Sequence, residues 1–189
     1  MSETKDDSLD DWNKFFEELQ NESPRAAVII AGAFLDSQLR DLLSSFLVDD
    51  PKIVDEFLGS DKNPDRPLSS FSSRIKAAYC LGLIGKSIYQ DLNVIRTIRN
   101  RFAHKMHGYT FEDPEIVKLC NSLKLAKMIT DVSSNMPKSH GGMFVLGVTQ
   151  LAMWLGIKII EVKKNPRTVP KDPALAQYVR VEGEDKKSS

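Results

Sequence analysis

Apolar residues recur along this chain at intervals of three and four, the spacing that stacks side chains on one face of an α-helix. Leu9, Trp12, Phe16 and Leu19 open the series behind a Ser8-x-x-Asp11 capping box, which predicts a short docking helix. Ser23 and Pro24 read as an N-cap and first helical position, and Val28, Leu35, Leu39, Leu42, Leu43 and Phe46 then share one side of a long helix reaching about Leu47. Asp50 and Pro51 open a short helix through Leu58, which gives way to the loop GSDKNPDRPLSS. Ser70 or Ser72 caps the next helix, where Ile75, Ala78, Tyr79 and Leu83 keep the spacing and Gly85 is placed to end it.

A tight turn leads into residues 91–107, where the pattern is clearest. Leu92, Val94, Ile95, Ile98, Phe102, Ala103 and Met106 form an apolar arc, and Arg96, Thr97, Asn100, His104 and His107 form a narrower polar one. This helix should stop near Gly108. Asp113 and Pro114 start another, with Ile116, Leu119, Cys120, Leu123 and Ala126 facing inward, and SSNMPKSHGG follows as a second loop. Residues 143–157 are almost continuously apolar, yet a membrane span needs about 20 such residues, and Thr149 and Gln150 interrupt the run. A helix apolar around most of its girth predicts a core or subunit interface, with no membrane role.

No segment alternates with period two over a useful length, so the pattern predicts an all-α compact bundle of about seven helices, up-and-down in its core with N- and C-terminal additions. One helical domain over 9–163 is expected, between an acidic disordered stretch at 1–8 and an extended or disordered tail at 164–189.

Arg99 breaks the two-arc pattern. It lies three or four residues from Ile95, Phe102 and Ala103, so its guanidinium runs along the apolar side and needs a carboxylate. Asp36, on the edge of the long helix's apolar stripe, can supply a buried ion pair with Arg99, or alternatively an ordinary i, i+4 pair with Arg40.

Charge narrows the function classes. The 189 residues carry 26 basic and 26 acidic side chains, so no whole-protein field draws the chain to nucleic acid or an anionic membrane. The balance is local, however: residues 1–22 hold eight acids against two bases, whereas 96–107 hold four bases and no acid. Arg96, Arg101, Lys105 and His107 are therefore candidate binding residues for nucleic acid through a local basic patch. His140, beside Gly141 in the second loop, reads as a surface residue. Cys80 and Cys120 fall inside helical patterns with no metal spacing, which predicts small buried thiols, no metal and no cofactor. Phosphate loops, nucleophile elbows and acidic triplets are missing, and the N-terminal residues lack a secretory pattern, so a cytoplasmic protein is expected.

FLD at 34–36, SSRIKAAYCLGLI at 72–84, IRTIRNRFAH at 95–104 and FEDPEI at 111–116 together resemble the mannitol operon repressor family, over roughly residues 26–120. Within them, Arg99-Asn100-x3-His104 also resembles the signature of the HEPN superfamily of small helical, often dimeric proteins, many of them metal-independent RNases. The first resemblance implies a transcriptional repressor, a homodimer acting through a regulatory protein partner or DNA. The second implies a ribonuclease in which His104 is acid or base, Arg99 stabilises the transition state and Asn100 orients phosphate or sugar, with two subunits completing one site. Structural use of the same trio, with His104 favoured at a helix C-terminus whatever the protein does, competes with both.

Overall fold

The computed structural model describes residues 17, 19, 21–59, 65–104, 108–130 and 139–171. Among them are seven helices and no strand: α1 (Pro24–Phe46), α2 (Pro51–Leu58), α3 (Phe71–Cys80), α4 (Lys86–His104), α5 (Pro114–Cys120), α6 (Lys124–Thr130) and α7 (His140–Lys163). The bundle is all-α and compact. The expected helix around Leu9, Trp12 and Phe16 lies outside the described residues, although Leu19 is buried in the core.

Local chemistry sets most helix starts. Ser23 Oγ accepts from the Ala26 amide and Asp50 Oδ1 from the Ile53 amide, each ahead of a proline whose fixed φ and missing donor suit a first turn. Ser70, rather than Ser72, caps α3 in a reciprocal box with Ser73. The stop of α3 departs from expectation. Gly82, at φ +70°, occupies the left-handed position, with the Gly82 amide donating to Tyr79 O and the Leu83 amide to Ala78 O. Gly85 instead begins α4, its carbonyl accepting from the Tyr89 amide.

The stretch after Pro114, expected as one helix, is two, because Asn121 to Leu123 turn the chain between α5 and α6. The second of these starts on a distant cap. The fully buried carboxylate of Asp91, in the first turns of α4, accepts from the Lys124 amide at 2.9 Å and the Leu125 amide at 2.8 Å. Two otherwise orphaned donors of α6 are satisfied from another helix.

Helix α7 begins at His140, capped by Ser139 Oγ on the Gly142 amide, so His140 lies half-buried in a first turn and not in a surface loop. At 24 residues it is, by length and composition, long and apolar enough to cross a membrane, against the shorter run counted from sequence. Yet Phe144, Val148, Leu151, Ala152 and Leu155 are fully buried against α1, where Leu35, Leu39, Leu42 and Leu43 face them. Gln38 Nε2 donates to Ala152 O at 3.2 Å within this contact, and farther on Val48 forms a parallel bridge with Arg167. Helices α1 and α7 therefore run in the same direction. The Arg167 guanidinium also sits 3.7 Å over the Phe46 ring, tying the segment after α7 to the end of α1.

Cys120 is buried, as expected, but Cys80 and its neighbour Tyr79 are exposed, because α3 ends there and turns its last residues outward. Tyr79 stacks instead on Tyr89 of α4, with ring centroids 4.6 Å apart.

Candidate functional site

Helix α4 carries the candidate residues, and its apolar side fixes how they can point. Ile88, Leu92, Ile95, Ile98 and Phe102 are buried, and α4 packs against α1, α3 and α7. Its last turn is held by an aromatic chain. Phe102 meets Tyr109 at 5.8 Å and Phe111 at 5.6 Å, and Phe111 meets Phe144 of α7 at 5.4 Å between ring centroids. Gly141 makes room for this chain, since a Cβ there would stand 2.9 Å from Phe111 Cδ2. Arg25 Nη2 donates to Ala103 O at 3.3 Å and ties the same turn to α1.

The polar side is divided between two hollows. Thr97, Asn100, Arg101, His104 and Tyr109 line one that is wide open to solvent. Thr97 Oγ1 donates back to Asn93 O at 2.8 Å, so its hydroxyl proton is already engaged. Arg101 pairs with Glu115 of α5, which spends part of its charge before any ligand arrives. His104 is exposed.

Arg99 lines the other hollow, with Asp36, Ser37, Arg40 and Arg74. Its stem lies on α1 at Gly32, where a Cβ would stand 2.8 Å from Arg99 Cγ; glycine is what lets the guanidinium pass. Among the described residues Arg99 makes one long hydrogen bond, Nη1 to Asn100 Oδ1 at 3.4 Å. The trio of Arg99, Asn100 and His104 is thus spread over two faces of one subunit, with Asn100 at the boundary. Arg96 is half-buried, with its Nε unpartnered among the described residues, and Lys105 and His107 lie outside them.

Asp36 forms its ion pair with Arg74, Nη1 to Oδ1 at 2.8 Å. Arg74 is the residue that sequence reasoning passed over. Its guanidinium also donates to Leu68 O at 2.9 Å and Leu58 O at 3.1 Å, so it knits α1, the end of α2 and the loop before α3. Arg40 bonds neither i, i+4 acid nor helix neighbour, but Asp55 Oδ1 at 2.6 Å and Gly59 O at 3.3 Å. An arginine inside an otherwise apolar stripe, between Phe71, Ile75 and Ala78, was the available signal for Arg74.

One titration is clearly displaced. Burial pushes the Cys120 thiol from 9.0 up to about 12, with the negative charge of Glu112 adding to the rise and a backbone hydrogen bond opposing it. A thiol so placed is inert. No cluster of three metal-ligating side chains occurs among the described residues.

A family model described as mannitol repressor matches residues 12–152. The chain belongs to the mannitol repressor family. Two relatives, each named mannitol operon repressor, from Escherichia coli K12 and Escherichia coli O6:H1, are 36% identical over 53 residues, 28% of this chain and 27% of each relative. The aligned stretch thus spans about a quarter of those relatives. A solved structure titled as the X-ray structure of the MtlR-HPr complex from Escherichia coli superposes at TM-score 0.58 and 23% identity, over 80% of this chain and 98% of the other. At that identity the likeness is one of fold, and this mannitol repressor family member shares it over nearly all of the solved chain.

Proposed function

We propose that this mannitol repressor family member is a transcriptional regulator that acts by binding a protein partner of the HPr kind. The observation that carries this is the family match over residues 12–152, supported by the shared fold with a protein solved in complex with HPr. The construction of α4 agrees with it. In a helix-turn-helix the second helix must lie free for the major groove, whereas α4 buries five large apolar side chains and is packed on three sides. Its basic residues are also dispersed: Arg101 is paired with Glu115, and Arg99 faces the opposite hollow. Repression through protein contact needs no exposed reading helix.

Homodimerisation fits the same reading. Met153, Ile157 and Ile160, at i, i+4 and i+7 of α7, are 47, 65 and 63% exposed and form an apolar strip opposite the core side. Such a strip favours burial against a second copy, and a cytoplasmic location accords with a regulator of this type.

Isothermal titration of purified HPr into the full chain tests the proposal, with an operator fragment in a gel-shift assay alongside. A saturable heat with HPr supports it; operator retardation by the chain alone, with no heat from HPr, overturns it. Sedimentation should show dimers that Ile157→Asp converts to monomers.

A ribonuclease of HEPN type is the second reading, favoured by Asn100 and His104 sharing one open hollow with Thr97 and Arg101. The position of Arg99 in the other hollow weighs against it within one subunit. Single-stranded RNA incubated with the chain in EDTA decides: cleavage abolished by His104→Ala supports the enzyme, and intact RNA removes it.

A further inference from the structure

The hollow between α1, α3 and α4 is built around charge that the fold itself does not use up. Arg40, Arg74 and Arg99 line it together with a single acid, Asp36, and the hydroxyl of Ser37. Their uses differ. Arg74 donates to Asp36 and to two backbone carbonyls, and its side chain is 9% exposed, so it is a structural member of the wall. Arg40 has Nε on Gly59 O and Nη2 on Asp55, which leaves Nη1 for another acceptor, and the Asp55 side chain is itself 67% exposed and screened by water. Arg99, which also lines the hollow, has among the described residues one long bond, to a neutral amide oxygen.

We propose that this hollow binds a phosphate group, with Arg99 as its main ligand and Arg40 and Ser37 completing the contact. Three guanidiniums against the carboxylates of Asp36 and Asp55 leave one positive charge, and the donors of Arg99, Arg40 Nη1 and Ser37 match the three terminal oxygens of a phosphomonoester better than the two of a carboxylate. The planar fork of arginine suits the paired oxygens of phosphate. Gly32 adds a reason for the shape. Without a Cβ at that position the Arg99 stem lies close on α1, and Arg99 lines the hollow together with Arg40, two turns farther along the same helix. At about 470 Å³ the hollow exceeds what inorganic phosphate fills and lies in the range of small-molecule sites, roughly 300–1,000 Å³. The group can therefore come from free phosphate or from a small organic monoester. This site is separate from the hollow holding Asn100 and His104, and it stands whether or not the protein binds HPr.

The test is calorimetric titration of the full chain at constant ionic strength with inorganic phosphate, glycerol 3-phosphate and acetate, against a chloride reference. Saturable binding of both phosphates, with acetate weaker, is the expected result. Tighter binding of glycerol 3-phosphate identifies an organic monoester as the source, and equal or tighter binding of inorganic phosphate identifies the free anion. Arg99→Gln should weaken binding by about tenfold or more, the loss of one charge-assisted pair. Ala33→Glu, at an exposed position on the rim that carries no core contact, should abolish it in a folded chain, whereas Arg101→Gln in the other hollow should leave it unchanged. Binding no stronger than chloride, acetate matching phosphate, or binding that survives both Arg99→Gln and Ala33→Glu overturns the proposal.

Discussion

Replacing Asp91 with alanine probes the least obvious joint in the bundle. The carboxylate is fully buried and receives the amides of Lys124 and Leu125 at 2.9 and 2.8 Å, the first two residues of α6. Alanine leaves two donors without a partner. A stranded buried donor costs about 1–3 kcal/mol, and since both amides are only partly buried, water recovers some of this, which places the loss at about 2–3 kcal/mol. Losing an ordinary N-cap costs about 1 kcal/mol, so the excess measures the burial of this one. For a chain of this size the loss corresponds to a melting shift of roughly 5–10 °C. Asp91→Asn should fall nearly as far, because its amide group presents a donor to one of two donors. Urea unfolding followed by circular dichroism gives the magnitude, and hydrogen exchange gives the place: the Lys124 and Leu125 amides should exchange faster while those of α1 keep their order of protection. Stability within about 0.5 kcal/mol of the wild type for Asp91→Ala would refute the capping role.

Three further outcomes follow from positions already described. Cys80 should react with a thiol reagent in the native state while Cys120 reacts only on unfolding. Because the folded Cys120 thiol holds its proton to about pH 12 and the unfolded thiol releases it near 9.0, folded chains bind more protons between those values. Stability should therefore fall as pH rises above about 9, by at most about 1.4 kcal/mol per unit, and Cys120→Ala should flatten that slope in alkaline urea titrations; an unchanged slope would show that the thiol is not its source. Gly32→Ala gains up to about 1 kcal/mol of helix propensity but sets a methyl 2.8 Å from Arg99 Cγ, an overpacking cost of about 1–3 kcal/mol. A net loss of about 1 kcal/mol is expected in urea unfolding, and a stabilised variant would show that the stem of Arg99 is free to move.

Helix starts were legible because their causes are local. Ser23 with Pro24, Asp50 with Pro51 and the serines before Phe71 each place a cap beside the helix it begins. The spacing of Leu92, Ile95, Ile98 and Phe102 likewise identified the buried side of α4, since one face of one helix decides it. The choice among partners was not legible. Asp36 had three arginines within reach of the folded chain, and its ion pair runs to Arg74, 38 residues away, because α3 crosses α1 at that turn. In the sequence Asp91 is only the first residue of the clearest amphipathic stretch, and its role depends on where α6 begins, 33 residues later. The two glycines near the end of α3 pose the same difficulty in miniature. Both suit a helix end, and only the backbone reveals that Gly82 takes the positive φ while Gly85 starts the next helix.

The co-directional contact of α1 and α7 has a consequence for biosynthesis. Gln38 meets Ala152 across 114 positions of sequence, so the side of the first long helix that faces α7 stays uncovered until residues 140–163 have left the ribosome. Until then that greasy surface stands open to chaperones and to neighbouring nascent chains. Truncations that remove α7 should consequently accumulate as aggregates instead of shorter folded bundles.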